Sequence, residues 1–475
     1  MSSSQELPPG LIAELMAVPP PNGKKLAYGT AGFRDTATLL DSTFQRMGVL
    51  AALRSIACGG QVIGLMVTAS HNAVEDNGVK MIDPAGSMLA IEWEGHAATL
   101  ANARTEEELK AILIALLAIA APAFPSPSTP TPPRPPARLN VTLVNTAEEE
   151  NTLYLNDKCG AEFVQKGQQP PKGMEDERDK GRRWASFDGD ADRLVYHFYD
   201  QEGKWHLLDG DKMAVLAADF LMDALKESGL PPPGDEGGQA GDWKVAVVQT
   251  AYANGASTRY LRDKGIPVVF AKTGVKYVHH EAEKYDIGIY FEANGHGTVI
   301  FGETMAKAIL SHKEKLEKGV VSESEVSKKE KIATTRLVCA QQLINQAVGD
   351  AMSDLLFVEA VLRLKGWDIA DWHKGLYTDL PSKQLKLQVQ DRTVMSCNKD
   401  ETRAMTPGGL QEALDVLMAS SAVAPHGRVF VRPSGTEDVV RVYAEAATPE
   451  IAAQLALDAS KIVYDMAGGV GVRPA

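Results

Sequence analysis

"WKVAVVQTAYANGASTRYLRDKGIPVVFAKTGVKYVHHEAEKYDIGIYFEA", residues 243–293, alternates short apolar runs with amphipathic stretches. VAVVQT, IPVVFAK and DIGIYFEA read as strands, and GASTRYLRDKG and YVHHEAEKY as the helices between them. This rhythm predicts a mixed or parallel sheet covered by helices. Upstream, KMAVLAADFLMDALKES (212–228) has a helical pattern and SGLPPPGDEGGQAGD (228–242) reads as an exposed loop. Eight prolines within PAFPSPSTPTPPRPP (122–136) remove backbone donors and mark a linker. Downstream, TPGGLQEALDVLMAS (406–420) predicts a helix with Thr406 as its cap and Pro407 at the first position. RVFVRPSGTEDVVRVYAEA (428–446) predicts two strands around a tight turn, and a last helix closes a small α+β unit.

At 475 residues the chain is long enough for several domains, and 44% hydrophobic with 23% charged residues is the composition of a globular protein. A formal charge of −13 argues against partners held by excess Lys and Arg, so neither nucleic acid nor an anionic membrane surface is expected. Cys58, Cys159, Cys339 and Cys397 are far apart and suggest neither a disulfide framework nor a zinc site. MSSSQELPPG lacks the basic stretch and apolar core of a secretory signal, and the cytoplasm is the expected location. The most apolar run, AILIALLAIAAPAF (111–124), follows the acidic TEEELK and is too short to span a bilayer, so a core helix is expected.

Three segments carry chemistry. SFDGDADR (186–193) sets Asp188, Asp190 and Asp192 at i, i+2 and i+4, a spacing that can converge three hard oxygens on one cation. A calcium hand would need Gly and Glu where Arg193 and Tyr199 stand, so Mg²⁺ is the better match, a solvated acidic turn being the alternative. RPSGTEDVVR (432–441) offers a Ser-Gly-Thr turn entered by Arg432 and left by Arg441. Guanidinium forks match phosphate oxygens, which an ordinary hairpin turn does not require. YFEANGHGT (290–298) ends a strand with a carboxylate, an amide and an imidazole between glycines, suited to sugar hydroxyls or a metal. In VTASHNAVEDNGVK (67–80), Ser70 lacks a G-x-S-x-G elbow, and the adjacent His71 is poorly placed to be its base. Ser70 is therefore better read as a phosphoryl carrier than as a hydrolase nucleophile.

Together with YGTAGFR (28–34), VVQTAYANGASTRYL, KTGVK (272–276) and LYTDLP (376–381), these segments resemble the α-D-phosphohexomutase family. The resemblance implies an α/β multidomain architecture: three mixed α/β domains, the first truncated, and a C-terminal α+β phosphate-binding domain. The expected divisions are 1–121, a linker at 122–136, 137–241 with the metal loop, 242–375 with the sugar loop and 376–475 with the phosphate loop. It implies Ser70 as the phosphoserine, with His71, Arg34 and Lys80 beside it, and Ser70, Asp188, Asp190 and Asp192 around Mg²⁺. It further implies Arg193, Thr273, Gly274, Lys276, Glu292, Asn294, Gly295 and His296 at the sugar, and Arg432, Ser434, Gly435, Thr436 and Arg441 at the phosphate that is not transferred.

The implied reaction interconverts N-acetylglucosamine 6-phosphate and 1-phosphate through a 1,6-bisphosphate, feeding UDP-N-acetylglucosamine synthesis, in a monomer. An impaired sugar-phosphate-binding paralogue, or a mutase of glucose or mannose phosphates, is the alternative. Two departures stand out: Ala73 replaces the family's usual proline, and residues 121–150 lack the segments that complete domain 1 and open domain 2. Such a loss should expose apolar surface near Ser70.

Overall fold

A computed structural model describes the chain except for residues 1–6, 9, 22–23, 30–31, 60, 70–74, 85, 120–140, 145–156, 175–178, 234–241, 319–324, 421–422, 424–425 and 436. Ser70, His71, Ala73, Thr436 and the proline run therefore lie outside the described residues. The chain forms two compact units: Met1–Phe163, Pro171–Met174 and Phe187–Ala191 in unit 1, and Val164–Pro170, Glu175–Ser186 and Asp192–Ala475 in unit 2.

Unit 1 is built on β1 (Phe33–Thr36), β2 (Gly64–Val67) and β3 (Asp76–Ile82), in the order β1-β3-β2 with both pairs antiparallel. Alternation places Phe33, Val79 and Met81 on one face, where they pack against helices Asp41–Ala57, Ile91–Asn102 and Glu106–Ile119 through Met47, Leu50, Trp93, Leu100, Leu109 and Leu113. The apolar run after TEEELK is thus a core helix as far as Ile119. Its start is a capping box: Thr105 Oγ1 accepts from the Glu108 N–H at 3.1 Å, and Glu108 accepts in return from Arg104 and Thr105 N–H at 2.7 and 3.3 Å. Leu65 and Val67 stand opposite Met81 and Val79 in the register, so they share the core face, yet they are 41% and 58% exposed.

Unit 2 carries three further sheets that bear on the site. The first has the order β4 (Trp184–Phe187), β5 (Leu194–Tyr199), β6 (Trp205–Leu208), and β4 ends at the carboxylate turn. The second is the mixed sheet of the opening stretch: β7 (Val245–Gln249), β8 (Val268–Phe270), β9 (Ile287–Phe291) and β10 (Gly297–Phe301). Its order is β10-β9-β7-β8, with β7 parallel to both β8 and β9 and β10 antiparallel to β9. Strands β7, β9 and β10 are buried along their whole length, which is why they read as continuous apolar runs. The third sheet contains β11 (Ser382–Gln388), which is followed in the chain by the short antiparallel pair β12 (Ser396–Cys397) and β13 (Ala404–Thr406), and then β14 (Arg428–Pro433) and β15 (Val439–Glu445). Its order is β11-β15-β14, and helix Pro449–Met466 covers the face made by Val429, Val431, Val440 and Val442.

One predicted boundary moves. Thr406 is not a helix cap but the end of β13, where its Oγ1 bonds Ser396 Oγ at 2.8 Å. The helix begins at Leu410, after Gly409, whose φ of 86° is accessible to glycine and strained for other residues. Pairing with β12 outweighs the Thr-Pro start signal.

Helix Gly210–Ser228 opens in an enclosed polar cluster. Lys212, fully buried, donates to the Tyr377 carbonyl and lies 3.3 Å from Asp379, while Asp211, 2% exposed, accepts from the Asn254 N–H at 2.8 Å. Burial, and then the neighbouring Asp209 charge, push the Asp211 carboxyl well above the usual range. An acid raised in this way stays protonated in the fold while it ionises in the unfolded chain, so it subtracts stability as pH climbs above the ordinary carboxylate value. Asp211→Asn, which keeps an acceptor for Asn254, should therefore melt higher than wild type at pH 8 and nearly together with it at pH 4. Thermal melts at the two pH values check this.

Candidate active site

The carboxylate turn joins β4 to β5 through six residues, 188–193. One oxygen from each of Asp188, Asp190 and Asp192 lies within 4.8 Å of the other two. Ala191 holds the turn open with a φ of 53°, and its N–H donates to the Asp188 carbonyl at 3.2 Å. Among the described residues, neither carboxylate oxygen of Asp190 accepts a hydrogen bond, although its side chain is only 2% exposed. Three crowded carboxylates make a hard-donor set that suits a small divalent cation.

Within unit 1, two cations approach the same carboxylate. Arg34 Nη2 is 4.0 Å and Lys80 Nζ 3.8 Å from Asp190 Oδ2. The β1–β3 register pairs Arg34 with Gly78, so Arg34 and Lys80 are diagonal neighbours on one face of the sheet. A Cβ at Gly78 would stand 2.5 Å from the Phe33 carbonyl, so the close strand approach that positions both cations depends on that glycine.

Within unit 2, the β9–β10 turn is wound tightly. Glu292 N–H donates to the His296 carbonyl at 2.8 Å, Gly295 N–H to the Glu292 carbonyl at 2.8 Å, and His296 N–H to Asn294 Oδ1 at 3.0 Å. Gly295 has a φ of 87°, and a Cβ there would meet the Leu194 carbonyl at 2.0 Å. This contact seats the turn on the start of β5, where Arg193 and His296 bridge and His296 Nδ1 lies 3.4 Å from Asp192 Oδ2. Glu292 Oε1 accepts from the Gly274 N–H at 3.3 Å, and Lys276, 7% exposed, sits in the first turn of helix Val275–Ala282. Burial raises the Glu292 carboxyl above its usual range, against the opposing pull of His296, Arg193 and Arg432. The Thr273, Gly274, Lys276, Glu292, Asn294, Gly295 and His296 segments thus belong to one continuous surface with Arg193.

The β14–β15 hairpin places Arg432 directly opposite Arg441, and β11 places Lys386 opposite Arg441. Directly opposed residues point to the same side, so three cations form a row across the sheet, with Lys386 Nζ paired to Glu437 at 2.7 Å. Ser434 is 6% exposed beside this row, and Gly435 follows it in the turn. Arg432 Nε donates to the Tyr252 hydroxyl at 3.1 Å and its Nη1 lies 3.6 Å from Glu401. Lys386, Tyr252 and Glu401 are absent from the residues expected from sequence. Lys386 sits in an alternating strand without a motif, and only the register reveals that it continues the row.

Comparison with known proteins agrees with these parts. Residues 209–367 match the family model for phosphoacetylglucosamine mutase AMG1, domain III. Residues 398–462 and 49–108 match the phosphoglucomutase/phosphomannomutase C-terminal domain and α/β/α domain I. The chain is 40% identical to human phosphoacetylglucosamine mutase over 552 aligned positions, covering 96% of each chain. Since the chain has 475 residues, at least 77 of those positions (552 less 475) lack a residue here. A structure of Aspergillus fumigatus N-acetylphosphoglucosamine mutase, a serine-to-alanine variant with glucose 1,6-bisphosphate, shares 34% identity and superposes with a TM-score of 0.77 over 97% of this chain and 99% of that one. The same fungal protein with GlcNAc-6P and magnesium gives 33% identity and a TM-score of 0.75 over 96% and 98%.

Asp190→Asn should weaken Mg²⁺ binding by about tenfold or more, because a small cation tolerates little change in its ligand set. Without metal its melting temperature should change little, since relief of carboxylate repulsion offsets the lost pairing with Arg34 and Lys80. Calorimetric Mg²⁺ titration and a metal-free melt measure the two effects.

Proposed function

The chain belongs to the phosphoacetylglucosamine mutase family, and from that premise we infer that it interconverts N-acetylglucosamine 6-phosphate and N-acetylglucosamine 1-phosphate. It is a phosphohexomutase isomerase that uses Mg²⁺. The observation that carries the reading of its site is the turn at Asp188, Asp190 and Asp192, where three carboxylates crowd one place and two cations approach Asp190.

Asp188, Asp190 and Asp192 would hold the Mg²⁺ together with an oxygen of phosphorylated Ser70. When bound, the ion withdraws charge from the phosphoryl group. Arg34 and Lys80, at the same carboxylate, would neutralise charge that spreads over the phosphoryl oxygens as the Ser70 O–P bond breaks and a sugar O–P bond forms. His71, next to the serine, belongs to the same catalytic group that the resemblance implies. Glu292, Asn294 and His296 would orient the hexose hydroxyls from a turn braced by its own hydrogen bonds, which keeps them in place between turnovers. Thr273, Gly274, Lys276 and Arg193 line the same surface.

Arg432, Ser434, Gly435, Thr436 and Arg441 would hold the phosphate that is not transferred, and what supports this is the row of Lys386, Arg441 and Arg432 on one side of the sheet. A 1,6-bisphosphate that exchanges ends lets one clamp serve either phosphate, and the serine recovers its phosphoryl group from the opposite end. No described helix is long and apolar enough to cross a membrane. A cytoplasmic monomer without nucleic-acid partners is the setting we propose, on the net charge of −13 and four free thiols.

Ser70→Ala should abolish turnover while the protein still binds sugar phosphate. Peptide mass spectrometry should find phosphate on Ser70 of the purified wild-type protein. Mutase activity of the variant in a coupled assay with N-acetylglucosamine 6-phosphate, Mg²⁺ and trace bisphosphate would remove Ser70 from the chemistry.

A further inference from the structure

Glu401 lies in the turn between β12 and β13, at a φ of 58°. Glycine or asparagine takes up that conformation with less strain than glutamate. The turn does not need the Glu401 side chain to close. Asn398 N–H donates to the Arg403 carbonyl at 3.0 Å, its Oδ1 accepts from the Arg403 N–H at 3.0 Å, and its Nδ2 donates to Thr402 Oγ1 at 3.0 Å. The carboxylate instead points into the site. Its Oε2 accepts from the Thr273 N–H at 3.1 Å and stands 3.6 Å from Arg432 Nη1, with side-chain exposures of 10% for Glu401 and 16% for Arg432.

We propose that Glu401 is a placeholder counter-ion of the phosphate clamp: it faces Arg432 when no phosphate does, and so eases the release of a bound phosphate. Arg432 is mostly buried and stands opposite Arg441. Without a nearby anion its guanidinium would be desolvated and repelled at once, and phosphate departure would bear that cost. A dianionic phosphate outcompetes a carboxylate for the guanidinium fork, and the Thr273 N–H keeps Glu401 in position meanwhile. The inference rests on the mutase reading above, because a bisphosphate that exchanges ends must leave the clamp in every cycle.

Glu401→Gln keeps an acceptor for Thr273 and removes the charge. Calorimetric titration should show the Kd for inorganic phosphate and for N-acetylglucosamine 6-phosphate falling by about three- to tenfold, the range of one partly screened charge, with N-acetylglucosamine itself unaffected. KM and kcat should fall together, a pattern that loss of a purely structural side chain does not produce. Glu401→Gly should tighten phosphate binding likewise while raising the melting temperature, because it relieves the backbone strain. Unchanged or weaker phosphate binding in Glu401→Gln, or tighter binding with kcat intact, would overturn the proposal. Tighter binding in a protein whose wild type shows no mutase turnover would leave the counter-ion role standing and refute the reaction instead.

Discussion

The Arg428–Glu445 pair determines where the C-terminal sheet stands against the loop that precedes helix Gly255–Asp263. Arg428 grips Glu445 through Nε at 3.1 Å and Nη2 at 3.2 Å, and its Nη1 and Nη2 also donate to the carbonyls of Ala251 at 2.9 Å and Ala253 at 2.6 Å. Glu445, 1% exposed, accepts from the Gly255 N–H at 3.1 and 3.0 Å and from the Tyr443 hydroxyl at 2.9 Å. A pair this enclosed adds little stability over an apolar substitute, because desolvation consumes most of the attraction. What it provides is direction, since the planar guanidinium fixes the angles at which its partners meet it. Gly255 is required at the contact, because a Cβ would stand 2.2 Å from Glu445 Oε1. Tyr252, in the same loop, then reaches Arg432, so Arg432 takes its orientation from the latch four residue pairs away along β14 and β15.

Two places in the molecule crowd like charges on rigid backbone: the carboxylates of Asp188, Asp190 and Asp192, and the row of Lys386, Arg441 and Arg432. Neither arrangement is favourable by itself. Each is held by neighbouring strands whose own pairing and apolar burial supply the stability, the row by Val429, Val431, Val440 and Val442 on the opposite face. Charges fixed in advance need no reorganisation when a ligand of opposite sign arrives, which is how a site for cation and phosphate gains its effect. The unbonded oxygens of Asp190 express the same economy of design, because a hydrogen-bond donor there would compete with the cation.

The alternation over residues 243–293 was legible because β7 and β9 are buried on both faces while the helices between them are not. The carboxylate turn was legible because its three acids are spaced along one short segment and need no tertiary knowledge. Lys386, Tyr252 and Glu401 were not, since each joins the site through pairing or docking over more than thirty residues of chain. The misplaced helix start at Thr406 has the same origin: a local capping signal lost to a strand pairing that local sequence does not display. Ser70, on which the proposed chemistry turns, was singled out by motif alone and lies outside the described residues.

The shortened region bears unequally on the two halves of the chemistry in unit 1. Arg34 and Lys80 take their positions from the β1–β3 pairing, and the glycine at 78 and the packing of Phe33, Val79 and Met81 on helix Asp41–Ala57 maintain that pairing. None of those contacts draws on residues beyond 120. The serine segment follows β2, the outer strand of the order β1-β3-β2, whose Leu65 and Val67 face the core side and remain exposed. A strand held on one edge, with its apolar side chains partly in water, opens more readily than a central one. On the proposed reading, the lost sequence would act on the segment after β2 that carries Ser70 rather than on Arg34 and Lys80. A displacement of about 1 Å in a reacting group can cost about a hundredfold in rate, so the support of β2 would set the rate of the proposed reaction.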